Sequence, residues 1–127
     1  MRAVDTNVLV RLLVRDEPRQ LRAAEGFVAP GAFVSHVVLV ETIWVLDAVY
    51  ARTPAQLAVA VERLLAHEHL TLEGPDAVAA ALARFRAKPV LGFSDCLVLE
   101  IARKAGHLPL GTFDRRLARQ EGAQALA

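Results

Sequence analysis

Cysteine is nearly absent from this chain. Cys96 stands alone, so no internal disulfide can form, and a reducing, cytoplasmic setting is expected. Aromatic residues make up only 6% of the sequence, with one Trp and one Tyr, which argues against a platform for stacking nucleic-acid bases. Serine occurs only at Ser35 and Ser94, neither inside the Gly-x-Ser-x-Gly elbow of a serine hydrolase. No glycine-rich loop ends in Lys-Ser or Lys-Thr, which excludes a P-loop. Long apolar runs are missing too. Glu41 and Asp47 interrupt the most hydrophobic stretch, well short of the ~18 uninterrupted residues of a membrane span. Asp5, Asn7 and Arg11 break the first apolar segment, and no small-residue cleavage site follows, so it does not read as a signal peptide. Excess charge of one sign is also lacking. Fifteen cations against 14 anions leave a net +1, with no basic tail to hold nucleic acid by bulk electrostatics, although a local patch is allowed.

What is present is apolar. A hydrophobic fraction of 54% in 127 residues fits one domain spanning 1–127, with a core that needs no disulfide or zinc. Proline and glycine cut the chain into element-sized pieces at Pro18, Pro30-Gly31, Pro54, Gly74-Pro75, Pro89, Gly106, Pro109 and Gly111. Arg2 to Asp5, Phe33 to Ser35, Leu70 to Leu72, Leu108 to Thr112 and Ala123 to Leu126 read as short strands. Helical spacing of apolar residues predicts helices over 7–15, 18–28, 36–50, 54–67, 75 onward through Phe85, 94–104 and 114–121. Thr53-Pro54-Ala55-Gln56 carries a capping hydroxyl, a proline at the first helical position and a glutamine at the third, a capping box. Short strands alternating with helices indicate an α/β fold with a mostly parallel sheet.

In such sheets ligands gather at the carboxyl ends of strands. Asp5 closes the first strand, Asp114 follows the fourth, and Asp95 lies in the first helical turn after Ser94. Each could merely cap a helix, where its charge opposes the helix dipole. Glu41 is different, because the helix around it, Val37 to Leu46, is apolar nearly all round and is therefore expected to be buried. A buried carboxylate needs a basic partner or a metal ion. A hard divalent cation would account for all four acids at once, since Mg²⁺ takes carboxylate oxygens, waters and substrate phosphates. It would lower the pKa of a bound water and offset charge growing on a phosphate. No zinc pattern competes, because His36, His67, His69 and His107 are scattered.

These residues resemble the PIN domains, the fold of the VapC-type toxins of bacterial toxin–antitoxin pairs. The features that carry the resemblance are Asp5-Thr6-Asn7 after the first strand and Glu41 in a long apolar helix. Ser94-Asp95-Cys96 opening a later helix and Thr112-Phe113-Asp114 after the fourth strand complete them. The resemblance covers essentially the whole chain and implies a three-layer α/β/α architecture with a short, mostly parallel central sheet. It also implies a metal-dependent ribonuclease using Mg²⁺ or Mn²⁺. Asp5, Glu41, Asp95 and Asp114 would be the acids, with Thr112 positioning the fourth acid or a water, Asn7 as an ordering neighbour and Ser94 beside the third. Toxins of this kind usually form homodimers and are silenced by a small antitoxin protein.

Arg11, Arg15, Arg84, Arg86, Lys88, Arg115 and Arg116 are the basic candidates for holding RNA, by phosphate contact and RNA shape. Trp44 is expected in the core or at a dimer interface, and Cys96 as a small buried hydrophobe. No His or Lys is placed for attack by a 2′-hydroxyl, so hydrolysis leaving 5′-phosphate and 3′-hydroxyl ends is expected. A haloacid-dehalogenase-like phosphatase also begins with a strand ending in Asp. It needs a second carboxylate two residues on, where this chain has Asn7. A non-catalytic PIN-like module that binds RNA or protein is the alternative from another class, although four anions would repel a phosphate backbone unless a cation lay between them.

Overall fold

Two helices separate each successive pair of strands in the first 75 residues, and connections of that length favour parallel pairing. The computed structural model, which describes residues 1–88 and 90–127, shows this arrangement. It is mixed α/β, with seven helices and five strands among the described residues, and its contacts divide it into two units, Met1–Pro75 and Asp76–Ala127. The break expected at Pro89 falls on the one residue outside the described set. No described helix is long and apolar enough to cross a membrane.

The first unit runs β1 (Arg2–Ala3), α1 (Thr6–Val14), α2 (Pro18–Val28), β2 (Ala32–Val34), α3 (His36–Ala48), α4 (Pro54–Ala66) and β3 (Leu70–Leu72). Its three strands lie in the order β1-β2-β3, all parallel, with Arg2 beside Ala32, and Ala32 beside Leu70. The Val4 amide donates to the Phe33 carbonyl at 3.2 Å, so the ladder continues right up to Asp5. The capping box forms as the sequence predicts. The Thr53 amide donates to Gln56 Oε1 at 2.9 Å, and the Gln56 amide to Thr53 Oγ1 at 3.2 Å. Leu9, Val10, Val28, Val34, Leu39, Val61 and Leu64 are buried, drawn from every helix and from the central strand.

One expectation fails here. Helix α3 packs against α1 and α4 through Leu39, Thr42, Ile43 and Leu46, a single stripe. Its other side is open, with Val37 77% and Trp44 64% exposed, and Glu41 is exposed as well. Apolar composition sets what a helix could bury, but only the neighbours present decide what is buried, and α1 and α4 cover one side alone. Trp44 is therefore not a core residue.

The second unit contains α5 (Pro75–Ala87, beginning at the boundary), α6 (Phe93–Ala105), β4 (Leu110–Thr112), α7 (Arg115–Ala118) and β5 (Ala123–Ala125). Strands β4 and β5 pair in parallel, Leu110 beside Ala123. Phe85 and Phe93 meet edge to face with ring centres 6.0 Å apart, and Val78, Ala81, Leu97 and Leu99 are buried. Helix α7 is one turn rather than the two expected over 114–121. The Arg119 and Gln120 amides bond back only three residues, to the Arg116 and Leu117 carbonyls, and Gly122 at φ +94° turns the chain into β5. Cys96 is buried as expected, and burial pushes its thiol pKa up to about 11.

Glu100 is the buried charge that the sequence did not announce. It is 4% exposed and lies between two arginines. Arg84 donates to its Oε1 through Nε at 3.1 Å and Nη2 at 2.8 Å, and Arg103 Nε approaches Oε2 at 3.5 Å. The same arginines reach past α7. Arg84 Nη1 donates to Gln120 Oε1 at 3.2 Å, and Arg103 Nη2 to the Glu121 carbonyl at 2.6 Å.

Candidate acidic site

Each of the four expected acids lies at the start of a helix or on a helix face, two in each unit. In the first unit, Asp5 leaves the β1 ladder in extended conformation and caps α1, its Oδ1 accepting from the Val8 amide at 3.4 Å. Thr6 follows it and is buried, and its hydroxyl donates to Glu41 Oε1 on α3. Glu41 thus has a hydroxyl partner at the first turn of α1. The burial that was to demand a metal or a basic neighbour for Glu41 is absent, because the residue is exposed. Thr6 had no assigned role in the sequence. The one signal available was its place within the Asp5-Thr6-Asn7 triplet, followed by a helix that buries its side of the turn.

In the second unit, Asp114 caps α7 with Oδ1, which accepts from the Arg116 amide at 2.8 Å and the Leu117 amide at 2.9 Å. Thr112 Oγ1 accepts from the Asp114 amide at 2.9 Å, so the hydroxyl expected to position the fourth acid grips that residue's backbone. Asp95 is in the first turn of α6, whose cap, Gly92, offers no side chain. Its carboxyl pKa is raised, first by burial and then by repulsion from Asp114. Ser94 beside it is exposed.

Capping occupies Oδ1 alone in both Asp5 and Asp114, which leaves Oδ2 outside the cap. Asp95 and Asp114 form a like-charge pair that a cation would relieve. The donors are all oxygen, the preference of Mg²⁺ and Mn²⁺. Among the described residues no three or more of His, Cys, Asp and Glu come together in a group that could hold a metal ion. The fit is therefore to an ion that uses one or two carboxylates and completes its shell with water and substrate phosphate, as Mg²⁺ does.

The basic candidates divide. Arg11 is engaged, with Nη1 at 2.9 Å from Asp16 Oδ1 and Nη2 donating to the Tyr50 hydroxyl at 2.6 Å. Arg84 is committed to Glu100 and Gln120, so its charge is spent inside the unit. Arg15 lies 3.8 Å from Glu25. Arg86, Lys88, Arg115 and Arg116 are exposed, the last two opening α7 directly after Asp114. Asn7 lines a cleft with residues of α2, together with Val8 and Arg11. The histidines hold to the edges. His67 and His69 meet edge to face at 5.8 Å, and the His36 amide donates to Glu73 at 2.8 Å.

The model of the PIN domain family matches residues 2–123, across both units. No curated protein matches the chain, and no solved structure does. PIN domains are generally nucleases, and they typically use divalent metals. With residues 2–123 of 127 matched, the chain belongs to the PIN domain family.

Proposed function

We propose that this PIN domain is a divalent-metal-dependent endoribonuclease that hydrolyses RNA phosphodiester bonds, with Asp5, Glu41, Asp95 and Asp114 as its acids. The observation that carries the reading is the Asp95–Asp114 pair, two carboxylates at helix starts, where burial and then the neighbouring Asp114 make the charge of Asp95 costly, in a chain that the PIN domain model matches over residues 2–123. A pair of that kind is unfavourable in a protein that only folds, and favourable in one that receives a cation. Bound Mg²⁺ or Mn²⁺ would supply a more acidic water and positive charge against the reacting phosphate.

The chain's own residues set the frame for this. The Thr112 hydroxyl fixes the backbone of Asp114, and the α7 amides fix its Oδ1, so the remaining oxygen has a defined direction. Thr6 holds Glu41 to the first turn of α1, one residue from Asp5. Exposed Arg115 and Arg116 add positive charge beside the Asp114 turn, where a phosphate backbone would be held.

The toxin role belongs to the same proposal, with a homodimer, a small antitoxin partner and a cytoplasmic setting. Exposed Val37 and Trp44 on α3 support a protein contact, since large apolar side chains left open on one helix face mark interaction surfaces. The deciding experiment is cleavage of a mixed RNA substrate with Mn²⁺, with Mg²⁺ and with chelator, beside Asp95→Asn. Discrete fragments with 5′-phosphate ends, dependent on metal and lost in the variant, are expected. Products ending in 2′,3′-cyclic phosphate would overturn the hydrolytic route. No cleavage by folded protein under any metal would leave a binding module.

A further inference from the structure

Helices α1 and α2 pack side by side and leave between them an open cleft of about 640 Å³, lined by Asn7, Val8, Arg11, Gln20, Ala24 and Phe27, among others. That volume is in the range of small-molecule pockets, about 300–1,000 Å³. Its position matters first. Asn7 is two residues beyond Asp5 on the same helix, so the cleft begins where the first carboxylate of the proposed nuclease ends.

Its chemistry matters next. The side-chain amides of Asn7 and Gln20 have no hydrogen-bond partner among the described residues, and both line this space. An amide offers one acceptor and two donors, the pattern that matches the edge of a nucleobase. The floor is apolar, with Val8, Ala23 and Ala24. Phe27 supplies an aromatic ring that is already held in place. The Arg2 guanidinium lies 4.0 Å from its centroid and donates to the Phe27 carbonyl at 2.8 Å. Arg11 cannot swing in to fill the space, being tied to Asp16 and Tyr50. A flat aromatic heterocycle with polar edges satisfies both the free amides and the apolar floor. A wholly apolar side chain would leave the amides unpaired on burial, at a cost.

We propose that this cleft is a base-recognition subsite for single-stranded RNA, with Gln20 and Asn7 reading the base edge and Phe27 stacking on its face. The inference rests on the ribonuclease reading and deepens it. Sequence preference would enter through one subsite beside Asp5, even though the chain is too poor in aromatics for an extended platform.

The test maps cleavage sites on a randomised RNA pool for the wild type, Gln20→Ala and Phe27→Ala, with thermal melting of each as the folding control. A second arm titrates four RNA pentamers that differ only in the central base, in chelator, so that binding is read without cleavage. The wild type should favour one base at a fixed position from the cut. Gln20→Ala should flatten that preference by roughly tenfold, from the loss of one edge contact, and Phe27→Ala should weaken binding of all four pentamers by roughly tenfold, from the loss of one stacking contact, both variants still cutting. Preference unchanged in folded Gln20→Ala together with pentamer affinity unchanged in folded Phe27→Ala overturns the subsite and leaves the nuclease standing, which is also the result if a protein segment is the true occupant. No cleavage and no pentamer binding by the wild type overturns both readings together.

Discussion

Replacing Glu100 with leucine tests whether the second unit depends on its buried charge. The substitution keeps much of the side-chain volume but leaves Arg84 and Arg103 without the carboxylate that each faces. Breaking a buried pair by removing one partner costs about 3–5 kcal/mol, because the remaining charge stays desolvated. Arg84 keeps Gln120, and both arginines retain some solvent, with side chains 22% and 32% exposed. The lower end applies, about 3 kcal/mol, which for a chain of this size lowers Tm by about 10 °C. Urea unfolding followed by circular dichroism reads the change directly. The companion variant Arg84→Met/Glu100→Leu removes both members of the closest pair and should recover most of the loss, as apolar replacement of a buried pair often does. If Glu100→Leu alone stays within about 1 kcal/mol of the wild type, the pair is worth no more than a surface salt bridge and the reasoning is wrong.

Further expectations concern the acids and the open helix face. Asp95→Asn should abolish cleavage yet raise metal-free Tm at neutral pH. The raised carboxyl pKa stabilises the fold below the ordinary carboxylate range and loses that stabilisation as pH rises through the folded value, and the variant should lack this fall between acid and neutral pH. Asp114→Asn and Asp114→Ala should be equally inactive, but only the alanine variant should lose the cap, at about 1 kcal/mol by denaturant titration. Thr6→Val should weaken cleavage by freeing Glu41 and cost about 1 kcal/mol, with Thr6→Ser restoring activity; equal rates for both variants would remove Thr6 from the machinery. Trp44→Lys should give a monomer by light scattering if α3 is the proposed dimer face, whereas an unchanged mass would place the contact elsewhere.

Local chemistry was legible in the sequence. The capping box at Thr53 and Gln56, the helix Pro18–Val28 and the strand Leu70–Leu72 were all readable, because each is specified by residues within a turn or two. The order of the acids along the chain, and so the family, was legible for the same reason. Glu41 was misread because hydropathy records an appetite for burial and says nothing of which neighbours arrive. Here α1 and α4 arrived on one side only. The bond between Thr6 and Glu41 joins residues 35 apart, and that between Arg84 and Glu100 joins residues 16 apart, so neither leaves a periodic trace. The α1–α2 cleft depends on which faces of two amphipathic helices meet, a tertiary choice made by packing. Helix α7 came out short because Asp114 can start a turn without the following residues sustaining a helix.

The single thiol has a practical consequence. Cys96 is fully enclosed, one residue beyond Asp95, and with burial pushing its pKa up to about 11 it stays a protonated thiol at pH 7. Alkylating reagents will therefore find nothing to attack while α6 stays docked. The rate at which they do react becomes a clock for the opening of that helix, set by how often the segment beneath Asp95 comes loose. With no other cysteine in the chain to confuse the signal, the native protein carries its own reporter of local unfolding. Adding Mg²⁺ or RNA should slow that clock in proportion to how strongly each grips the start of α6, with no dye, tag or substitution introduced.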